Sequence, residues 1–85
     1  MILAWDQNAW EDSLNWQKTD KKILKRINEL IREIIRAPFD GKGKPEFLKN
    51  ELAGYLSRRI NEEHRIVYKI IDERIIIIKC RFHYK

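Results

Sequence analysis

Metal-free cleavage of an RNA phosphodiester needs a base for the 2′-hydroxyl proton, an acid for the departing 5′-oxygen, and cations to hold charge on the phosphate. The chain offers residue types for each task. Glu46 follows the loop Gly41-Lys42-Gly43-Lys44-Pro45, and Lys49 stands three residues further on. Arg58 and Arg59 end one apolar run, Arg65 opens the next, and His83-Tyr84 comes at the end of the chain. Histidine is suited to such a place because it can hold or release a proton near neutral pH. Each residue also admits a plain structural reading. Glu46 would be a surface carboxylate, Arg58 and Arg59 solvated charges, His64 a turn residue, and His83-Tyr84 the finish of a strand. No Gly-x-Gly-x-x-Gly run, Walker loop or zinc-ligand spacing competes with them. Lys42-Gly43-Lys44 has the composition of a phosphate cradle, although two glycines among lysines are a sparse signal.

The elements that must carry these groups are few. Eighty-five residues suit a single domain spanning 1–85, with one core and no deep cofactor cleft. Apolar content of 44%, with three Trp, three Tyr and three Phe, argues against disorder. The opening Met1-Ile2-Leu3-Ala4-Trp5 is too short for a signal peptide or a membrane span. Cys80 is the one cysteine, so no internal disulfide forms and a reducing cytoplasm is expected. Within an apolar strand it reads as a small core residue rather than a nucleophile. No metal or cofactor is expected.

Charge is uneven. Residues 1–20 balance at −3 (one Lys, four acids), whereas 21–36 carry +4 (six basic, two acidic). Residues 37–52 balance at zero, and 53–71 and 72–85 add +2 each, for a net +5. A basic surplus on the second helix and the C-terminal strands suits a polyanionic partner through counterion release. A merely solubilising surface would carry the same charge.

Leu3 and Trp5 suit a short opening strand. Asp6 is placed to cap a first helix running to about Gln17, and Thr19-Asp20 to break it and cap the next. Ile23, Leu24, Ile27, Leu30, Ile31, Ile34 and Ile35 form one wide apolar stripe on a second helix that Pro38 ends. Strands are expected at about 53–60, 65–71 and 74–82, with turns at 61–64 and at Asp72-Glu73. The fold class is therefore α+β, in strand order β-α-α-β-β-β. A helical hairpin packs on one face of a small antiparallel sheet, and the arginines lie on the other, open face.

Over essentially its full length the chain resembles the YoeB/Txe branch of the RelE-type bacterial toxins. The resemblance is carried by Trp5, Trp10 and Trp16 around the acidic first helix, Thr19-Asp20-Lys21, Pro38-Phe39, and Gly41-Lys42-Gly43-Lys44-Pro45-Glu46. It continues through Leu48-Lys49, Gly54, Ser57-Arg58-Arg59-Ile60, Glu63-His64-Arg65, Val67-Tyr68 and Cys80-Arg81-Phe82-His83-Tyr84. It implies a RelE-like fold and the toxin of a type II toxin–antitoxin pair, an endoribonuclease that cuts mRNA in the ribosomal A site. The 2′-hydroxyl would attack without a metal, leaving a 2′,3′-cyclic phosphate and a 5′-hydroxyl. By position, Glu46 would be the general base, His83 the general acid and Arg65 the stabiliser of the transition state. Lys49 and Arg59 would meet neighbouring phosphates, and Tyr84 would stack on the substrate base. The ribosome would supply positioning. The resemblance further implies a homodimer and a cognate antitoxin, with no membrane partner. The antitoxin's acidic, disordered segment would meet Arg58, Arg59, Arg65 and Arg81.

Two other function classes remain. A ParE-like gyrase inhibitor shares the fold but as a group lacks the acid, arginine and histidine set. A non-catalytic RNA- or protein-binding module needs only the basic surface. Strand parity adds a geometric demand. A two-residue loop at Asp72-Glu73 pairs Ile71 with Arg74 and sets Arg65 opposite Cys80, so that His83 points away from Arg65. The two converge only through a longer loop, a bulge or a final turn out of the sheet. The turn, with His83 just past the last paired residue, is the favoured solution.

Overall fold

The computed structural model describes residues 1–82. Strand β1 (Ile2–Trp5) leads into helix α1 (Gln7–Thr19) and helix α2 (Lys21–Arg36). The two-residue strand β2 (Glu46–Phe47) and a 3₁₀ turn (Asn50–Leu52) follow, then β3 (Leu56–Arg59), β4 (Arg65–Ile71) and β5 (Arg74–Lys79). The strands form one mixed sheet in the order β1-β5-β4-β3-β2. The meander β3-β4-β5 is antiparallel as the spacing predicts, and β2 extends it antiparallel to β3. β1 instead lies parallel to β5 at the edge. That arrangement requires a long intervening connection, and the helical hairpin forms part of it.

Local chemistry explains the helix ends. The Asp6 carboxylate accepts from the Ala9 N–H at 3.0 Å, and Asp20 accepts from Lys22 and Ile23 at 3.0 and 3.2 Å. Each aspartate thus satisfies amides that have no partner within the helix. The stripe on α2 lands where its period directs it. Ile27, Leu30 and Ile34 are fully buried in one cluster with Leu56, Ile66, Tyr68, Ile75 and Ile77 of the sheet and Ala9 and Trp16 of α1. Among the described residues no helix is long and apolar enough to cross a membrane.

Three features depart from the expectation. The strand expected at 53–60 spans only Leu56–Arg59, and the run 74–82 keeps its strand only to Lys79. Two-residue β2 carries no readable period. The third departure concerns the face away from the helices, which is not bare. Ser57 and Val67 on that face are nearly inaccessible to solvent, at 2% and 1%.

Candidate active site

β2, β3 and β4 bring the candidate residues together by register. Glu46 pairs with Ser57, Ser57 with Val67, and Val67 with Lys79, so these four form a row across four strands. Opposed residues share a face, and so do residues two apart on one strand. Arg59 and Arg65, which pair directly with each other, therefore lie on the same face as Glu46, one step along the strands. Two strand spacings and one two-residue step separate the Glu46 and Arg65 Cα positions by roughly 12 Å, enough for a nucleotide to lie between them.

Arg65 is 7% exposed, and its Nη1 donates to the carbonyls of Asn61 and His64 at 2.7 and 3.0 Å. A longer contact reaches the Glu62 carbonyl at 3.4 Å. The turn thus fixes the guanidinium without neutralising it. Arg59 is exposed, and its backbone is tied down by the Arg26 side chain of α2, which donates to the carbonyls of Arg59 and Ile60. Opposed like charges destabilise a strand pair, so an anion between them relieves an existing cost. Among the described residues neither arginine has a carboxylate within ion-pair distance. Glu46 and Lys49 line a surface pocket of about 520 Å³ formed by residues 46–52. His83 and Tyr84, the expected acid and stacking partner, lie outside the described residues.

Arg58 corrects the expectation of a solvated or antitoxin-facing cation. It points to the helix side and is 0% exposed. Its Nε donates to the Tyr68 hydroxyl at 3.0 Å, Nη1 to the Lys42 carbonyl at 3.1 Å and Nη2 to the Ala37 carbonyl at 2.6 Å. The Tyr68 hydroxyl in turn donates to the Pro38 carbonyl at 2.8 Å. Together they anchor the loop that leads to Glu46. Burial pushes the Tyr68 phenol up, opposed by the hydrogen bond from Arg58. Gly43 completes the anchoring. Its carbonyl accepts from the Arg59 N–H at 2.7 Å, and a Cβ there would meet the Leu30 side chain at 2.9 Å. Its φ of +84° also favours glycine.

Of the three irregularities that would let the strand ends converge, a bulge is present among the described residues. Asp72-Glu73 makes the two-residue loop, with Ile71 opposite Arg74. The ladder then runs to Tyr68 opposite Ile77, and Val67 opposes Lys79, leaving Ile78 as the extra residue. Lys79 thereby falls on the face of Arg65. Cys80, which an unbroken ladder would place there, turns to the helices and is 0% exposed. Its burial pushes the thiol up to about 12, with the Asp12 charge adding to the effect. A thiol so placed is core packing, as the sequence indicates, and not a nucleophile. One bond to β4 also lies past the end of the ladder, where the Arg65 N–H donates to the Phe82 carbonyl at 3.1 Å. The sequence reasoning missed a set of side chains around residues 80–82, His64 among them, because no spacing marks them.

A two-helix cover on a mixed five-stranded sheet is a fold that this chain shares with other solved proteins. YafQ from Escherichia coli shares it with a TM-score of 0.79 at 16% identity, over 95% of this chain and 91% of that one. Residues 5–84 match the family described as YoeB-like toxin of bacterial type II toxin-antitoxin system, and the chain belongs to that family. It is 56% identical to Toxin YoeB of Escherichia coli K12 over 99% of this chain and 100% of that protein. Toxin YoeB of Synechocystis is 59% identical, with 100% and 99% covered. The solved YoeB/ParE toxin from Agrobacterium tumefaciens superposes with a TM-score of 0.96 at 50% identity, covering 99% of this chain and 100% of that one.

Proposed function

We propose that this toxin is a ribosome-dependent endoribonuclease that cleaves mRNA by metal-independent attack of the 2′-hydroxyl, and so blocks translation. The observation that carries the reading is the pairing of Arg59 with Arg65 on the face that also bears Glu46. A base and two cations share that face within the reach of one nucleotide. In this reading Glu46 takes the 2′-hydroxyl proton and Arg65 stabilises charge on the phosphorane-like transition state. Lys49 and Arg59 hold flanking phosphates. His83 protonates the 5′-oxygen, and Tyr84 stacks on the base. A shallow site suffices because the ribosome presents the mRNA.

Cleavage sites mapped on a translated mRNA test this directly. The wild-type chain is expected to cut only when ribosomes are present, leaving 5′-hydroxyl ends. Glu46→Ala and His83→Ala are expected to cut about 10²–10⁴-fold more slowly. Undiminished cleavage by both variants would remove the mechanism.

The same reading gives this chain two protein partners, a second copy of itself and a cognate antitoxin. YoeB from Staphylococcus aureus, 47% identical, has been solved as a dimer and in a heterotetrameric YoeB-YefM toxin-antitoxin complex. An acidic antitoxin segment would lie against Arg59, Arg65 and Arg81. Reversing its charges is expected to abolish neutralisation, and full neutralisation by the reversed segment would refute the contact.

A further inference from the structure

We infer that His64 and Trp16 are positioning residues for the catalytic end of the chain, fixing the backbone of residues 80–82 so that the residue after Phe82 meets the substrate correctly. The inference rests on the nuclease reading, in which His83 is the acid.

β5 ends at Lys79, yet four of the six backbone polar groups of residues 80–82 are held. The Cys80 N–H donates to Asp12 Oδ2 at 3.0 Å, and the Cys80 carbonyl accepts from Trp16 Nε1 at 2.9 Å. The Phe82 N–H donates to His64 Nδ1 at 2.8 Å, and its carbonyl accepts from the Arg65 N–H at 3.1 Å. Three of these four bonds come from side chains, so the segment is clasped rather than paired as a strand. Phe82 has a φ of +61°, a conformation that costs a side-chain-bearing residue energy and persists where its surroundings impose it.

The clasp is itself rigid. His64 is 6% exposed, its own N–H donates to Asn61 Oδ1 at 2.7 Å, and its ring meets Trp16 edge-on at 4.7 Å. An amide N–H can only donate, so Nδ1 must offer its lone pair and the ring hydrogen sits on Nε2, which lies 3.6 Å from Glu63 Oε1. Arg65 is the next residue in the chain. One turn therefore carries both the Arg65 cation and the anchor for the Phe82 backbone. A misplacement near 1 Å at such a site costs about 10²-fold in rate.

Two substitutions separate the hydrogen bond from ring packing. His64→Phe keeps a ring against Trp16 and loses the acceptor, whereas His64→Asn keeps an acceptor near the Nδ1 position and loses the ring. Single-turnover cleavage of ribosome-bound mRNA by the full chain is the readout, together with amide hydrogen exchange at Phe82. His64→Phe is expected to lower kcat by about 10²-fold with KM little changed, and to speed exchange at Phe82. His64→Asn is expected to stay near wild type in both. Trp16→Phe removes the donor to Cys80 while keeping a smaller aromatic ring beside His64, and is expected to lower kcat in the same direction, so the test survives if His64→Phe does not fold. Wild-type rates in His64→Phe or Trp16→Phe, or a His64→Asn as slow as His64→Phe, would overturn the inference alone. A wild-type chain that cleaves nothing would overturn the nuclease reading and the inference with it.

Discussion

Arg58 and Arg59 are neighbours in the chain with opposite surroundings, and their contrast separates stability from activity. Arg58 is buried with three hydrogen bonds to neutral oxygens, whereas Arg59 is exposed opposite Arg65. Removing the Arg58 guanidinium takes away three charge-assisted hydrogen bonds, one to the buried Tyr68 hydroxyl and two to partly buried carbonyls, each contributing about 1.5–3 kcal/mol. Arg58→Leu is therefore expected to destabilise the fold by about 3 kcal/mol or more, read as a lower urea midpoint at unchanged slope. Arg59→Leu is expected to move that midpoint by less than about 0.5 kcal/mol while slowing cleavage. Equal midpoints for the two variants would refute the assignment. Strand period tells from sequence that the two arginines face opposite ways. It does not tell which one turns inward. That is decided by the oxygens of Ala37, Lys42 and Tyr68, which are 10 to 21 residues away and carry no local signal. Glu46, Arg59 and Arg65 were legible as a set, and the sheet register brings them to one face. His64 was passed over as a turn residue because its partner, the Phe82 amide, lies 18 positions distant.

At the scale of elements, the Asp72-Glu73 loop was legible and the bulge was not. Two polar residues between apolar runs announce a tight hairpin, and both adopt positive φ, +47° and +61°. Such angles match the twist of the flanking strands and favour Asn-Gly or Asp-Gly. Glu73→Gly relieves a left-handed strain of about 1–2 kcal/mol against a somewhat smaller entropic cost. A net gain of about 0.5 kcal/mol is expected, which raises the melting temperature by about 2–4 °C. A fall in melting temperature would show that the Glu73 side chain contributes more than its backbone angle costs. The bulge hides because Ile75, Ile76, Ile77 and Ile78 are chemically identical. In a run without alternation, an extra residue leaves no trace in the pattern. Its consequence is nevertheless large, since it turns Cys80 toward the helices and Lys79 toward Arg65's face. β2 escaped notice for a different reason, because two residues are too few to show a period.

For the whole molecule, α2 made the layered α+β arrangement readable, because its apolar stripe needs a partner layer and the apolar runs that follow read as strands. The parallel docking of β1 on β5 was not readable, since it joins the two ends of the sequence through no local cue. Cys80, beyond that ladder, packs against α1 through Ala9, Asp12 and Trp16, and its burial has a measurable signature at alkaline pH. Burial raises the Cys80 thiol from 9.0 to about 12 and also raises the Tyr68 phenol above 10.0. Both groups hold their protons more tightly in the folded chain than in the unfolded one. Their contribution to stability is therefore fully present below pH 9 and is lost as pH rises from 9 toward 12. For Cys80 the loss reaches about 3 kcal/mol near pH 11, with Tyr68 adding to it above pH 10. Denaturant midpoints measured in steps from pH 8 to pH 11 are expected to fall on this course. In Cys80→Ala the fall should begin only above pH 10, and in the double variant with Tyr68→Phe it should flatten. Arg58 limits the Tyr68 contribution, because its hydrogen bond favours the phenolate and partly offsets burial. A wild-type midpoint constant to pH 11 would mean that the thiol reaches water in the folded state, and that α1 opens away from it.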